Sequence, residues 1–311
     1  MTDAVTGRSW PGLSWRRLAA CDLPGLTGLY ARALACDGGQ PFAADEWLLR
    51  RWYIEGTEDS LAVVDGERVV GACAWRYVDS GGERRAVIVG QVDPDERRRG
   101  IGGRLLDLAL DAAGPGAAVR VETESLCSGA DALYRSRGLT CVFAEDVMTY
   151  SLAGGVPTAP PAGDVVFTEW SDSLAERFFA VYEAAFRDRP GFPGWSAAEW
   201  ITWIRDDDDF RADWTLLASE AGTDVGFLAG ENGGWIAQVG VVPAARRRAV
   251  ASTLIIEVLR RMQADGQTEA TLNVNVNNPG AIAAYRRLGF LCTGRRARYE
   301  PTRLAAPWQP R

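Results

Sequence analysis

The sequence predicts an α/β protein made of two related domains. The chain has 311 residues, about twice the usual length of a single domain. Segments in which apolar and polar residues alternate, as in strands, are interspersed with segments whose apolar residues recur at helical spacing. This mixture is typical of α/β folds. One motif also occurs twice, as VDPDERRRGIGGRLL at residues 92–106 and as VVPAARRRAVASTLI at 241–255. A repeat of this length indicates a duplicated domain.

A second repeated segment fixes the domain limits. ALYRSRGL at residues 132–139 returns as AAYRRLGF at 283–290, so order and spacing are kept. We therefore predict an N-terminal domain of residues 1–152 and a C-terminal domain of residues 164–311. The segment 153–163 between them is rich in Pro, Gly and Ala, which is typical of a linker.

Strands and helices are predicted in the same order in both domains. In the first, strands are expected at 14–18, 61–64, 68–77, 86–92, 118–122 and 142–150, with helices at 23–35, 43–52, after the glycine loop at residue 100, and at 129–137. In the second, strands are expected at 165–169, 215–219, 225–229, 235–242, 269–274 and 291–299.

The composition excludes several classes of enzyme. All 34 basic residues are Arg, and the chain has neither Lys nor His. Nucleophiles activated by His, Schiff-base lysines and P-loop nucleotidases are therefore impossible. The six cysteines form no C-x-x-C pair, so we predict no metal site and reduced thiols.

Charge and hydropathy predict a cytoplasmic protein. The net charge is −7 and the two halves are balanced alike, so neither half is a general polyanion binder. The first thirty residues lack the apolar core of a signal peptide, and no apolar run approaches the roughly 18 residues of a membrane span.

The repeated motif has the features of an anion site. A strand ends in V-x-P-x-x-R-R-R-G-I-G and leads directly into an amphipathic helix. Backbone N–H groups of such a loop and the positive end of the helix attract phosphate oxygens. Gly100 and Gly102 allow the backbone to approach a ligand, and Arg97, Arg98 and Arg99 add charge at its rim.

These residues resemble the GNAT superfamily of N-acetyltransferases. The fingerprint R/Q-x-x-G-x-G/A of that family appears as Arg97-Arg98-Arg99-Gly100-Ile101-Gly102. Its second signature, N-x-x-A-x-x-x-Y-x-x-x-G-F, appears as N-P-G-A-I-A-A-Y-R-R-L-G-F at residues 278–290. The two-domain layout, together with AAFRDRPGFPGWSAAEW, is similar to the mycothiol synthase type within that family.

The resemblance implies the fold and the reaction. Each domain would have a mixed, mostly antiparallel sheet flanked by helices, with splayed fourth and fifth strands. Acetyl-CoA or another acyl-CoA would lie between those strands as co-substrate, without a metal, and an amine would attack the thioester directly. The residues that would bind the donor are Val92, Arg97, Arg98, Arg99, Gly100, Ile101, Gly102, Gly103, Val241, Arg246, Arg247, Arg248, Ala249 and Ala251.

The resemblance also implies catalytic candidates. Tyr285, with Asn278, or Tyr134 would protonate the leaving thiolate, although either Tyr could instead pack its ring on the sheet. A backbone N–H near residues 90–92 or 238–240 would hold the developing oxyanion. General-base candidates acting through water are Glu231, Glu122 and Glu124.

The two halves depart from the family pattern at different places. The first half has Cys127 where the family has Asn, and the second has Ala249 where it has the first loop glycine. The first half is therefore predicted to be the better coenzyme A binder, and the second to have the better preserved leaving-group side.

Three functions remain open at this level. The first is acyl-CoA-dependent transfer to a small amine, whose acceptor wall would be Phe192, Trp195, Trp200, Trp203, Asp206 to Asp209, Phe210 and Trp214. The second is an amide-forming transferase that uses aminoacyl-tRNA through the arginine clusters at 97–99, 246–248 and 295–298. The third is a non-catalytic acyl-CoA-binding protein. The oligomeric state is not predicted.

Overall fold

The computed structural model of the protein describes residues 10–80, 83–115, 117–158, 164–189 and 192–302. These residues form two compact units. The first contains the chain up to Val147 and the segment from Thr293 onward, and the second runs from Met148 to Cys292. Both units combine a sheet with flanking helices, which confirms the predicted fold class.

The described residues of the first unit form a sheet and four α-helices. Its strands are β1 Leu13–Arg17, β2 Asp59–Asp65, β3 Arg68–Ser80, β4 Glu83–Val92, β5 Ala118–Thr123 and the first part of β6 Leu139–Ser151; its helices are α1 Leu23–Asp37, α2 Glu46–Tyr53, α3 Ile101–Ala113 and α4 Ser128–Ser136. Strands β1 to β4 pair antiparallel in sequence order, and β4 pairs parallel with β5. The apolar sides of α1 and α2 cover one face of β2 and β3 around Leu26, Leu49 and Tyr53, which gives this unit its core.

The second unit repeats this arrangement. Its strands are β7 Val165–Glu169, β8 Phe210–Glu220, β9 Thr223–Glu231, β10 Trp235–Val241, β11 Glu269–Asn275 and the start of β12 Leu291–Pro301; its helices are α5 Ala175–Phe186, α6 Ala197–Arg205, α7 Val250–Ala264 and α8 Pro279–Leu288. Strands β7 to β10 are antiparallel, and β10 is parallel to β11. One core lies under α7 around Leu254 and Leu259, and the other lies under α5 and α6 around Phe178 and Trp200.

Two strands cross the limits that the sequence suggested. From Thr293 onward β12 belongs to the first unit, where Ala297 pairs with Thr123 and Tyr299 with Val121 of β5. Residues 148–151 of β6 belong to the second unit. The sequence divides the chain into the contiguous segments 1–152 and 164–311, because alternation identifies a strand but not the neighbour with which it pairs.

The predicted linker is described only in part. A short 3₁₀ turn occupies Leu152–Gly154, and the Tyr150 hydroxyl donates to the Gly155 carbonyl oxygen at 2.7 Å. Residues 159–163 lie outside the described residues. Within the described part of the chain, no helix has both the length and the apolar character needed to cross a membrane.

Candidate functional site

The loop between β4 and α3 has the backbone shape of an anion site. A short turn at Pro94–Glu96 is followed by two left-handed residues, Arg98 with φ 66° and Gly100 with φ 88°. Helix α3 begins directly afterwards at Ile101, whose side chain is buried. The backbone N–H groups of the first turn of α3 have no partner within the helix, so the loop is suited to bind an anion.

The arginines of this loop have different surroundings. Arg97 donates through both terminal nitrogens to the Asp37 carboxylate at the end of α1. Arg99 pairs with Glu96. Arg98 lines an open surface pocket of about 390 Å³ next to the loop. Arg97 therefore anchors the loop to α1, whereas Arg98 faces the space that a ligand would enter.

The loop of the second unit keeps the same backbone shape although a glycine is missing. Arg247 and Ala249 both have φ 63°, which places them in the same left-handed region as Arg98 and Gly100. Helix α7 begins directly after Ala249. The left-handed conformation costs an L-residue about 1–2 kcal/mol. Ala249 therefore preserves the geometry of the loop, at an energetic cost that Gly100 does not have.

One further contact is common to both loops. The Nε of Arg97 donates to the Val92 carbonyl oxygen at 3.4 Å, and the Nε of Arg246 donates to the Val241 carbonyl oxygen at 3.3 Å. The first arginine of each triplet thus ties its loop to the end of the preceding strand. Its guanidinium is occupied by protein groups and acts mainly through the shape of the loop.

Positions 102 and 103, at the start of α3, do not require glycine for reasons of backbone strain. A Cβ atom at Gly102 would lie 3.4 Å from the Val92 side chain, and one at Gly103 would lie 3.3 Å from the Arg137 guanidinium. Ala251 occupies the position of Gly102 in the first turn of α7. A methyl group is therefore accommodated at this position of the loop.

Both units have parallel strands that separate toward the loop. β4 and β5 are paired over five residues and separate after Val89 and Glu122. β10 pairs with β11 only at Trp235 and Ile236, and its register against β9 shifts around Ala237, which marks a β-bulge. Over the paired residues 71–80 and 83–92, β4 has no such shift. A bulge bends a strand and takes a backbone group out of the ladder, so the two units differ at the point where acyl transfer is expected.

Two buried side-chain oxygens lie on the separating strands of the second unit. Among the described residues, Gln238 Oε1 on β10 and Asn273 Oδ1 on β11 have no hydrogen-bond donor. An unpaired buried acceptor costs about 1–3 kcal/mol, and N–H groups of a ligand between the strands would remove that cost. Gln238 lies in the segment 238–240, which the sequence analysis named as a possible source of an oxyanion donor. Asn273 was missed, although its alternation with Leu272 and Val274 indicates a polar face on this strand.

The first unit differs at the corresponding place. Gln91 Oε1 accepts a hydrogen bond from the backbone N–H of Val92 at 3.1 Å. This N–H belongs to the segment 90–92 that was expected to offer an oxyanion donor. A side chain of the protein therefore occupies that donor in the first unit.

The two candidate tyrosines are buried to different degrees. Tyr134 on α4 is only 7% exposed, and its ring lies 4.8 Å from that of Tyr299. Burial raises the pKa of Tyr134 well above its ordinary value. Tyr285 on α8 is half-buried against the core under α7, and burial raises its pKa to about 12. Both phenols therefore carry their proton at neutral pH.

Asn278 has a clear structural position. It is the N-cap of α8, where its side-chain oxygen accepts from the Ala281 backbone N–H at 3.2 Å. Such a cap stabilises a helix by about 1 kcal/mol. The residue at the same place in the first unit, Cys127, makes no capping hydrogen bond with its side chain. Asn278 thus fixes the start of the helix that bears Tyr285.

The three general-base candidates are in different environments. Glu122 lies 3.4 Å from Arg298, and Glu124, which is almost fully buried, lies 2.5 Å from the same guanidinium group. Both carboxylates therefore form ion pairs with Arg298. Glu231 at the end of β9 has no ion-pair partner among the described residues, and burial, followed by the charges of Asp207 and Asp209, raises its pKa to about 7.

The predicted acceptor wall divides into core and surface. Trp200 and Trp214 are buried in the cores of the second unit. Trp203 is 43% exposed, and its ring packs against that of Trp195 with 5.3 Å between centroids. Residues 206–209 follow α6 as an exposed acidic turn. Phe192 and Phe210 are partly buried against the core under α5 and α6. The Trp195–Trp203 pair and the acidic turn are therefore the more exposed parts of the predicted wall.

Comparison with known proteins finds the same family in both units. The acetyltransferase (GNAT) family matches residues 168–290, and an acetyltransferase (GNAT) domain matches residues 57–139. A mycothiol acetyltransferase from Mycolicibacterium vanbaalenii is 30% identical over 274 residues, which are 84% of this chain and 88% of the relative.

Two solved structures share the fold. A GCN5-related N-acetyltransferase from Sphaerobacter thermophilus has a TM-score of 0.71 with 23% identity, and the match covers 93% of this chain and 95% of that one. A tandem GNAT protein from the clavulanic acid biosynthesis pathway has a TM-score of 0.57 with 21% identity, over 94% and 99% of the two chains. The repeated loops, the separating strands and these relatives together show that the chain belongs to the GNAT acetyltransferase family and is an N-acyltransferase with two domains of that type.

Proposed function

We propose that the second unit transfers the acetyl group of acetyl-CoA to the amine of a small molecule, and that the first unit holds coenzyme A through its Arg97–Gly103 loop. The β-bulge at Ala237 carries the proposal for the second unit. It bends β10 away from β11 just before the loop, and β4 lacks it over its paired residues. Backbone N–H groups freed in this way are suited to hold the oxyanion that develops at a thioester carbonyl.

The chemistry of the second unit fits a pantetheine donor. Gln238 Oε1 and Asn273 Oδ1 are buried acceptors without donors on the two separating strands. The amide N–H groups of pantetheine, or the amine of the acceptor, would supply those hydrogen bonds. The loop at Ala249 retains the shape that presents the N–H groups of α7 to a pyrophosphate.

Tyr285 is our candidate for the general acid. It lies on α8, whose start Asn278 caps, and it packs against the same core under α7 as Val239 and Val241 of β10. Its pKa of about 12 keeps the phenol protonated. The phenol would deliver its proton to the thiolate as the thioester bond breaks.

Glu231 is our candidate for the general base. Phe227 and Ala229 of the same strand pack against α5 and α6, so strand alternation directs Glu231 to that face of the sheet. Ala237, at the bulge, packs against the same cluster. A carboxylate with a pKa of about 7 is matched to the removal of a proton from an ammonium near neutral pH.

The acceptor is proposed to be a small amine. The relative from Mycolicibacterium vanbaalenii is a mycothiol acetyltransferase, so an amine from a thiol-cofactor pathway is the first choice. The exposed Trp203, packed on Trp195, lies on α6 next to the acidic turn at 206–209. Aromatic faces and carboxylates together favour a cationic ligand.

The ion pairs favour acyl-CoA over aminoacyl-tRNA as the donor. Most guanidinium groups of the arginine clusters are already bound by protein groups. These pairs are Arg97 with Asp37, Arg99 with Glu96, Arg248 with Glu220, Arg295 with Asp146, Arg296 with Glu124 and Arg298 with Glu124. In the described residues of the clusters, Arg98 and Arg247 alone make no side-chain hydrogen bond or ion pair. A tRNA backbone would need a larger set of unpaired charges.

The test measures the binding of acetyl-CoA and the transfer of its acetyl group. Three proteins are compared, namely the unchanged protein and the variants Gly100→Glu and Ala249→Glu. A carboxylate at either loop would repel the pyrophosphate. We expect Gly100→Glu to remove one binding site and retain transfer, and Ala249→Glu to abolish transfer while one site remains. Transfer that survives Ala249→Glu but not Gly100→Glu would assign catalysis to the first unit. Absence of any acetyl-CoA binding to the unchanged protein would reject an acyl-CoA donor.

A further inference from the structure

The sheet face of the first unit that α1 and α2 cover changes from apolar to charged across its strands. Ala74 of β3 and Val89 of β4 are paired and belong to the core under these helices. Val89 is in register with Glu122 of β5, which stands opposite Arg298 of β12. Neighbouring residues in register share a face of a sheet. Charged side chains therefore continue this face where the apolar core ends.

The charged groups of this face are paired unequally. Glu124, which is almost fully buried, lies 2.5 Å from a terminal nitrogen of Arg298 and 3.0 Å from the Nε of Arg296. Glu122 lies 3.4 Å from Arg298. Arg76, two residues after Ala74 on β3, makes its ion pair with Glu122 at 3.9 Å. Arg76 therefore shares, at the longest of these distances, a carboxylate that also binds another arginine.

Two buried polar groups at this place have no hydrogen-bond partner. Among the described residues, no acceptor faces Nη1 of Arg76, and neither Oε1 nor Nε2 of Gln40 has a partner. Gln40 is fully buried. Buried polar groups of proteins are nearly always hydrogen-bonded. A ligand with acceptors for Arg76 and Gln40, and with a donor for Gln40, would complete these hydrogen bonds.

The segment between α1 and α2 holds Gln40 against the end of β5. The Gln40 backbone N–H donates to the Glu124 carbonyl oxygen at 2.8 Å, and the Ser125 hydroxyl donates to the Gly38 carbonyl oxygen at 2.5 Å. Gly39 has φ 139°, and a Cβ atom there would collide with the Glu124 carbonyl oxygen. Only glycine therefore allows the segment to approach β5 this closely. The position of the Gln40 side chain beside Glu124 is thus fixed by the backbone.

The repeat gives Arg76 a counterpart in the second unit. Counted from the strand pairs that precede the two loops, position 76 of β3 corresponds to position 231 of β9. The pairs that fix this correspondence are Gly71 with Val92 and Gly226 with Val241. The first unit therefore carries a guanidinium where the second unit carries Glu231, the proposed general base.

The neighbouring strand differs as well. The second repeated segment aligns Glu122 and Glu124 of the first unit with Asn273 and Asn275 of the second. In the first unit these two carboxylates form ion pairs with arginines. A guanidinium is always protonated in proteins, so Arg76 cannot take a proton from an amine. The same face of the two units is therefore suited to different ligands.

The surroundings of Arg76 favour an additional anion. Burial lowers the pKa of its guanidinium, the charge of Glu122 opposes this effect, and the charges of Arg51 and Arg298 add to it. The guanidinium nevertheless keeps its charge. A carboxylate at Nη1 would supply both the missing acceptor and a compensating charge, and such charge-assisted hydrogen bonds are among the stronger ones.

We propose that the first unit binds a small amino acid or hydroxy acid on this face, with its carboxylate at Nη1 of Arg76 and its amino or hydroxyl group donating to Oε1 of Gln40. The ligand is bound without being acylated, because Arg76 replaces the base. This inference goes beyond the proposed function, since the ligand is neither the acyl donor nor the acceptor of the second unit.

The test measures by calorimetry how the full chain binds three probes of similar size, namely L-lactate, L-alanine and L-alaninamide. We expect both acids to bind, with L-alaninamide, which lacks the carboxylate, about 10-fold weaker. Lactate has no amine, so its binding cannot report on an amine site. The ratio of the lactate and alanine affinities shows which donor group the site prefers. Arg76→Gln should weaken both acids about 10-fold and leave acetyl transfer unchanged.

Two further variants separate binding from folding. Arg50→Gln is the matched control, because Arg50 precedes Arg51 on α2 and pairs with Glu46 of the same helix. It should leave the affinities for all three probes unchanged. Gln40→Met removes a buried amide that has no partner among the described residues. It should raise the urea midpoint of unfolding in the absence of ligand and weaken lactate about 3-fold.

Three results would overturn the proposal. The first is failure of both acids to bind to the unchanged protein. The second is L-alaninamide binding as tightly as L-alanine, because the carboxylate would then have no role. The third is an unchanged lactate affinity in Arg76→Gln and Gln40→Met when circular dichroism shows both variants to be folded. Acetyl transfer measured with the loop variants is independent of all three.

Discussion

Glu231 and Trp235 stand directly opposite each other across β9 and β10, two residues before the bulge at Ala237. Directly opposed residues of an antiparallel pair place their side chains on the same face of the sheet. Glu231 therefore shares a face with Trp235 at the point where β10 leaves β11. This arrangement supports the proposal that Glu231, on the strand next to β10, is the general base.

The first prediction concerns the pH dependence of transfer. Glu231 has a pKa raised to about 7. A general base is active when deprotonated, so kcat/KM should rise as the pH increases from 6 to 8 and then level off. Glu231→Gln should lower kcat by about 10²-fold and remove this rise. Initial rates measured between pH 5.5 and 9 check the prediction.

The neighbours of Glu231 provide the control. The charges of Asp207 and Asp209 contribute to the raised pKa, after burial. Asp207→Asn should therefore move the rising part of the profile to lower pH without a large loss of the maximal rate. A profile of Glu231→Gln that keeps the rise near pH 7 would exclude Glu231 as the titrating base.

The second prediction concerns Tyr285. Tyr285→Phe removes the phenol but keeps the ring that packs against Phe290 and the core under α7. We expect kcat to fall by about 10²-fold with little change in KM, because the proton is needed only as the thiolate leaves. Steady-state kinetics of Tyr285→Phe and Tyr134→Phe check this. A greater loss in Tyr134→Phe would place the chemistry in the first unit.

Local patterns were sufficient to predict most elements of the fold. Strand β7 was predicted and found at Val165–Glu169, and β5 and β11 differ from prediction by one residue at one end. The two loops were also predicted, because the motif that forms them is continuous in sequence. The separating strands were implied by the resemblance to the family. The relation of Arg97 to Asp37, which are 60 residues apart, carries no such signal.

The parts that could not be predicted depend on tertiary context. From Thr293 onward β12 belongs to the first unit because it pairs with β5. The alternation of apolar and polar residues in β12 does not specify this partner. The bulge at Ala237 is a register shift between two strands, and each strand alone has a normal pattern. The indole N–H of Trp10 donates to the Arg99 carbonyl oxygen of the first loop. This contact was not predicted, because Trp10 lies outside both family signatures.

The third prediction concerns the cost of the left-handed alanine in the second loop. Ala249 has φ 63°, a conformation that glycine adopts without strain. Ala249→Gly should therefore raise the free energy of unfolding of the second unit by about 1 kcal/mol and also tighten acetyl-CoA binding there. Ala221, with φ 46° in the β8–β9 turn, is the matched control. Ala221→Gly should stabilise the unit without changing donor affinity, as urea unfolding and calorimetry can show.

The fourth prediction concerns Asp93, which follows β4 and is fully buried. Its carboxylate accepts from Arg32 at 2.7 Å and from Arg68 at 2.8 Å. Although burial opposes ionisation, these arginines and the Asp95 backbone N–H hold the pKa of Asp93 below its ordinary value. A lowered pKa in the folded state stabilises the fold above about pH 4, and this contribution is lost as the pH falls further. Asp93→Asn should cost about 2–3 kcal/mol at pH 7 and less at pH 3, where part of the contribution of the ionised carboxylate is lost. Urea unfolding at both pH values, with Asp95→Asn as the exposed control, checks this, and an equal loss at both would show that the charge of Asp93 does not stabilise the turn before the loop.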